Sequence, residues 1–384
     1  MRIAAFAILL SLFLLQGCGG TNSASSPGSR TSARSQSWAS GSGSHTSVRR
    51  PAGYLYVTNN MSDNISAYFI GKLNGALTEL PTSPLATEHK PTAITIDPRA
   101  DLAFVTASDS DVLVYRVDRS SGKLREVSGS PFLIPVDSFP LDVVVSPNGR
   151  FIYVGTPGTT IAGFAVTDRS GSLTPTPRSP YRAGDGAESL AIDPSGRFMY
   201  VSSTFSGTVS AFRIQPKTGA LTEVSGSPFS AGERPNAVAI SPSGKFLYVS
   251  NKPGAISAFE IHSTDGRLSS VEGSPFAAPA YSHGLAFGLD GRFLYVGNGL
   301  TNTIGAYRVD RAAGILTPIK GSPFSEGQGS VCLFADEHAL YVANEESRSV
   351  SVFDMDPRSG ALTAITGSPY KAGAVPCGLA LLPL

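Results

Sequence analysis

Pro235 to Ile261 reads PNAVAISPSGKFLYVSNKPGAISAFEI, and the 384-residue chain repeats this phrase seven times. The aromatic of its Tyr-Val pair falls at Tyr56, Phe104, Tyr153, Tyr200, Tyr248, Tyr295 and Tyr341, in steps of 46 to 49 residues. A second aromatic follows at Tyr68, Tyr115, Phe164, Phe212, Phe259, Tyr307 and Phe353. A Gly-x-Leu word and a Ser-Pro word keep the same step, the latter placing Pro84, Pro131, Pro180, Pro228, Pro275, Pro323 and Pro369 in register. A constant period in the forties marks one supersecondary unit repeated side by side.

Each unit reads as strands and turns. Ala237 to Ile240 is a short apolar run suited to a strand buried on two faces. Ser241-Pro242-Ser243-Gly244 supplies the proline and glycine of a tight turn. Phe246 to Ser250 is rich in β-formers, Ala255 to Ile261 alternates, and Leu268 to Val271 makes a weaker fourth strand. No helical period of apolar residues interrupts the units. Four antiparallel strands per repeat of this length make a propeller blade, so the fold expected is an all-β, seven-bladed β-propeller over residues 51–384. Pro376 to Pro383 matches only the first strand of a repeat, and the unit opening at Tyr54 lacks that strand. The C-terminal strand is therefore expected to complete the N-terminal blade and remove the open edge.

The residues before the repeat carry an address. Arg2 and the apolar run Ile3 to Leu15 form a signal segment over residues 1–17, too short for a typical spanning helix. Leu15-Gln16-Gly17-Cys18 resembles the lipobox of bacterial lipoproteins, which implies cleavage before Cys18 and lipid on its thiol. Residues 18–50, rich in Ser, Gly and Thr, read as a disordered tether, with Trp38 a solvated residue inside it. The expected location is extracytoplasmic, anchored to a membrane by lipid alone, on the outer membrane or the periplasmic face. The formal net charge of +1 leaves no nucleic-acid footprint, and a monomer is expected. Cys332 and Cys377 fall on the first strands of neighbouring blades; by strand parity one faces its neighbour and the other faces away, so two buried thiols are expected.

Loops before the first strands and between second and third strands share one mouth of the central channel. The residue after the opening proline slot should ring it: Thr92, Leu141, Glu188, Asn236, His283, Ser330 and Cys377. Glu188, Asn236 and His283 are consecutive polar departures from the repeat, with Arg234 alongside and Glu345 and Glu346 on a nearby blade. Asn59, Asn251, Asn298 and Asn344 read as side-chain caps of the following turn. The scattered histidines and cysteines lack metal spacing, and neither a metal nor a cofactor is expected.

The words Tyr56-Val57-Thr58-Asn59 and Ser241-Pro242-Ser243-Gly244-Lys245-Phe246-Leu247-Tyr248-Val249 resemble the YVTN repeats and the lactonase-type seven-bladed propellers, which include 6-phosphogluconolactonase. That resemblance covers residues 51–384. Ser282-His283-Gly284 and Asn344-Glu345 resemble the family's histidine and Asn-Glu words, whereas Ser330-Val331 stands where an Arg-His word would. The missing cation weakens the case for phosphorylated sugar lactones. Two functions follow. One is a lactone hydrolase with His283 and Glu345 as bases and Glu188, Arg234 and Asn236 binding the ligand. The other is a non-catalytic propeller holding a carbohydrate or an envelope protein.

The address has a direct check. Cys18→Ala should abolish radiolabelled palmitate incorporation and release the protein from the detergent phase; a variant that still labels would refute the lipobox reading.

Overall fold

The computed structural model describes residues 53–384, apart from 73–74, 98, 100, 136–138, 168–169, 289 and 326, and apart from the side chains of residues 330 and 331. The signal segment, Cys18, the tether and Trp38 lie outside the described residues. Seven sheets are present, and each follows a four-strand antiparallel path. In blade 5 the path runs Pro235–Ile240, Phe246–Asn251, Ala255–Ile261 and Leu268–Ser270. Its second strand is buried throughout because it lies between strands within the sheet and between blades across it. The fourth strand buries only Leu268, which is why the Gly-x-Leu word keeps its leucine.

Blade 1 is built from the two ends of the described chain. Gly53–Asn59 pairs with Asn64–Ile70 on one side and with Pro376–Pro383 on the other, in a register that sets Tyr54 against Leu382 and Tyr56 against Ala380. The first strands of successive blades adjoin one another, and the closing strand adjoins Pro91–Asp97 of blade 2, so the ring is complete.

Every blade also carries a fifth strand of two residues, which the sequence reading did not foresee. In blade 5 it is Phe276–Ala277, which pairs with the third strand beyond the fourth. Between these pairings the third strand has an amide without a ladder partner. Ser274 Oγ accepts it, from Ala258 N–H at 2.9 Å. The serines of all seven Ser-Pro words do the same, at 2.9 to 3.0 Å. The word is thus kept because a buried N–H needs an acceptor there.

The tyrosine column joins one blade to the next. Tyr56, Tyr153, Tyr200, Tyr248 and Tyr295 donate to the carbonyls of Gly122, Gly219, Gly266, Gly314 and Gly360 in the following blade, at 2.7 to 2.9 Å. Gly314 has φ +77°, and a Cβ there would lie 2.6 Å from the Phe246 ring. Only glycine meets that backbone and that proximity together. A cation covers several of these rings: Arg197 and Arg213 stack on Phe198, Lys245 on Phe246 and Arg308 on Phe293. Lys245 Nζ then reaches Ala312 O of the next blade at 2.6 Å. Blade 2 has Phe104 in the tyrosine column, and Tyr341 of blade 7 donates to Asp336 of its own blade at 3.2 Å.

The asparagine column does something other than cap turns. Asn344 is fully buried and its amide donates to Ser349 Oγ at 3.1 Å and Ser351 Oγ at 2.8 Å, clamping the second strand to the third. Asn59 and Asn251 clamp the same strands through Ser66 and Ser257.

Tyr248→Phe should therefore lower stability by about 1–3 kcal/mol, the range for a buried acceptor losing its donor. Gly314→Ala should cost more, since it adds a clash and a strained φ to the same junction. Thermal and urea unfolding of both variants checks the order, and an equal loss would refute this account of the column.

Candidate functional site

The mouth residues stand where the first strands lose register. In blades 2, 4, 5, 6 and 1 the ladder between first and second strands shifts at this column, around Thr92, Glu188, Asn236, His283 and Cys377 respectively. In blade 7 Ser330 pairs with Asn344 as Pro235 does with Asn251, so it fills the opening slot, and the shift falls at residue 331, one place beyond the expected Ser330. A bulge leaves a residue unpaired and re-aims its side chain. Here it does so at the mouth end of the innermost strands.

Hydroxyls in the third letter of Tyr-Val-x-Asn secure these bulges. Ser250 Oγ accepts Ala237 N–H at 3.0 Å inside blade 5 and donates to His283 O of blade 6 at 2.6 Å. Ser202 accepts Ser189 N–H at 3.3 Å and donates to Asn236 O. Thr58 accepts Gly378 N–H at 2.8 Å and donates to Thr92 O at 3.0 Å. The backbones of Asn236 and His283 are each fixed by the preceding blade.

Two blades then converge on one carboxylate. Asn236 Nδ2 donates to Glu188 Oε2 at 2.9 Å. Lys252 Nζ lies 3.9 Å from the same oxygen, with side-chain exposures of 17% for Lys252 and 18% for Glu188. Burial pulls the Lys252 ammonium below its usual range, Glu188 opposes that, and Arg234 adds to it. His283 is lowered to about 4, first by burial and then by the Lys252 charge. The Tyr281 ring lies 6.2 Å from the imidazole, and Tyr281 N–H donates to Lys252 O at 2.7 Å.

The expected ligand residues Glu188 and Asn236 are thus brought together with His283. Arg234 joins them through its backbone, whose carbonyl accepts Lys252 N–H at 3.2 Å, while its own side chain is exposed. Glu345 belongs to a different part of the channel. Its carboxyl is pushed up by burial and then by Glu346, and it acts on the thiols of Cys332 and Cys377. The two expected bases therefore answer to different neighbours. Both thiols are free, and Cys377 Sγ points toward blade 2, 2.8 Å from Thr92 O. The blade 7 register is one residue off the expected alignment, so the parity argument does not hold, although the two thiols are unbridged.

Lys252 was missed in the sequence. It stands in the column of Glu345, one residue after the second-strand asparagine. A lysine where another blade carries a glutamate is a departure from the repeat as clear as His283. Two cavities elsewhere lie at the turn end of the blades or along their outer strands. One, of about 210 Å³, is lined by Ser241, Pro242, Phe246 and Arg311, and the other, of about 540 Å³, by Arg150, Phe151, Thr174 and Lys217. In the second, Arg150 lies over the Phe151 ring and donates to the Pro216 and Lys217 carbonyls of the next blade, each at 3.3 Å.

The ionisation of His283 has a readable sign. An unfolded histidine titrates near 6.5 and the folded one near 4, so between those values the unfolded chain takes up a proton that the fold refuses. Stability should fall as pH drops through this window, by on the order of 2 kcal/mol at pH 5. His283→Gln should lessen the drop in melting temperature between pH 7 and pH 5; an unchanged drop would place the imidazole in water.

Comparison with known proteins bears on this mouth through the fold. The family model described as "Lactonase, 7-bladed beta-propeller" matches residues 26–138, 140–333 and 280–377. No curated protein matches the chain in sequence. Among solved structures, a candidate 6-phosphogluconolactonase of Bacteroides uniformis is similar at 18% identity and TM-score 0.75, covering 87% of this chain and 100% of that one. The periplasmic gluconolactonase of Pseudomonas aeruginosa is similar at 22% identity and TM-score 0.73, covering 86% and 99%. A Desulfotomaculum acetoxidans protein of unknown function is similar at 17% identity and TM-score 0.64, covering 85% and 99%. At such identities the structural likeness speaks for the fold alone.

Proposed function

Because this chain belongs to the lactonase family of seven-bladed β-propellers, we propose that it hydrolyses a lactone at the mouth where Glu188, Asn236, Lys252 and His283 meet. The observation that carries the reading is the enclosed Lys252–Glu188 pair, whose ammonium acts on the buried His283. Hydrolysis of a cyclic ester needs a base for the attacking water and a positive group for the oxygen that becomes negative. His283 is the base and Lys252 the positive group. Glu188 holds Lys252 in place, and Asn236 fixes the glutamate.

In this mechanism water adds to the lactone carbonyl as His283 takes its proton, and the oxyanion forms against Lys252. The tetrahedral intermediate then expels the ring oxygen, which receives the proton from the imidazolium, and a hydroxy acid leaves. A histidine lowered to about 4 is a modest base but a strong acid once protonated, which suits a reaction whose difficult leaving group is an alkoxide. Lys252 is taken as the stabilising cation in place of Arg234 because it is the enclosed one of the two. Export and attachment through Cys18 are proposed with this activity, and place it outside the cytoplasm.

A lactone panel followed by proton release tests the proposal on the intact chain. His283→Asn and Lys252→Met should each lower kcat/KM by about 10²–10⁴-fold with little change in melting temperature. The acid limb of kcat/KM should fall near the His283 value, about 4. A loss on Glu345→Gln equal to that on His283→Asn would move the base to blade 7. Absence of turnover on every lactone would favour the ligand-holding propeller instead.

A further inference from the structure

Acidic side chains stand at separate places around the mouth. Glu188 lies in the bulge of blade 4, and Glu345 and Glu346 follow the second strand of blade 7. Asp142 stands in the first strand of blade 3, taking amides from Val143 and from Leu190 of blade 4 at 2.8 and 2.9 Å. Asp142 and Glu345 both act on the Cys332 thiol, which sets them within reach of one part of the channel. Against these carboxyls stands the enclosed Lys252, 3.9 Å from Glu188 Oε2. Arg234, at the rim, has an exposed side chain on a left-handed backbone, φ +50°.

A phosphate or carboxylate on a ligand needs a cation that is not already neutralised, and a planar fork serves it best. Lys252 is already partnered by Glu188, so a permanent anion elsewhere on the ligand gains little from it, while its charge remains for the oxyanion at the reacting carbonyl. The Glu188 carboxylate adds repulsion of its own, which is strong in a site with low effective dielectric.

We infer that the site takes an uncharged lactone and that Glu188 is the residue that turns phosphorylated and other anionic lactones away. This rests on the lactonase reading above and adds the charge class of the substrate. Glu188 acts twice, by occupying Lys252 and by repelling an incoming anion. Asn236 takes part by orienting the carboxylate, so the selecting unit spans blades 4 and 5.

The test compares glucono-δ-lactone with its 6-phosphate as substrates of the purified protein. The uncharged lactone should be favoured in kcat/KM by about 10²-fold, the order expected for like charges brought together. Glu188→Gln keeps an acceptor for Asn236 and removes the charge. Because Glu188 also holds Lys252, both rates should change, but the ratio of the two kcat/KM values should narrow by about tenfold or more. With the unaltered protein, raising ionic strength from about 0.02 M to about 0.5 M should speed the phosphorylated substrate and leave the uncharged one nearly unchanged. Equal use of the two lactones, or a preference that neither the variant nor salt moves, would overturn the inference. If neither lactone is hydrolysed, the lactonase reading falls by itself, and calorimetry with glucitol and glucitol 6-phosphate decides the charge selection. Tighter binding of the phosphate, or binding of neither, overturns it, whereas binding of glucitol alone upholds it.

Discussion

A phenol proton from one blade rests on a glycine carbonyl of the next, and the ring is assembled on that contact. The donor is buried, so it must find a partner; the acceptor belongs to a turn that only glycine can make at that place. Neither requirement can be met within a single blade. A blade of four or five strands leaves two broad apolar faces, and burying them fixes only that something must lie alongside. The Tyr248–Gly314 bond fixes what lies alongside and how far it is turned. The cation over Phe246 then shields the same junction from water.

Much of this was legible because the same demand recurs. A Ser acceptor recurs in all seven blades and the bond from a buried tyrosine to a left-handed glycine at five junctions, so each writes a column. The closing strand was legible for a related reason, as a unit missing at one end and present at the other. The fifth strand was not. Two residues carry no alternation, and Phe276–Ala277 is held by a ladder that exists only after the third strand is placed. The bulges were hidden too, because a shift of register is a property of two strands together. Glu188, Asn236 and His283 could be found as departures from the repeat, yet their meeting depends on those bulges. Lys252 was readable in principle, since its column already held Glu345.

The mouth shows how local charge and burial combine. A lone ammonium so enclosed would lose its proton readily, and a lone imidazole beside it would stay neutral. Glu188 keeps the first charged, and the charge so kept holds down His283. Burial accounts for most of the lowering of the imidazole, and the Lys252 charge, which Glu188 supports, adds to it.

Ser250 belongs to one blade, but the residue it places, His283, belongs to the next. The same hand-off runs from Ser202 to Asn236. A repeat protein is commonly imagined to evolve by copying, losing or exchanging whole units. Here a transplanted blade would arrive with its own mouth residue but without the neighbour that aims it. The heritable module is therefore the seam between blades, half from each, and a lineage that changes its chemistry at the mouth must alter the hydroxyl upstream in step with the side chain downstream.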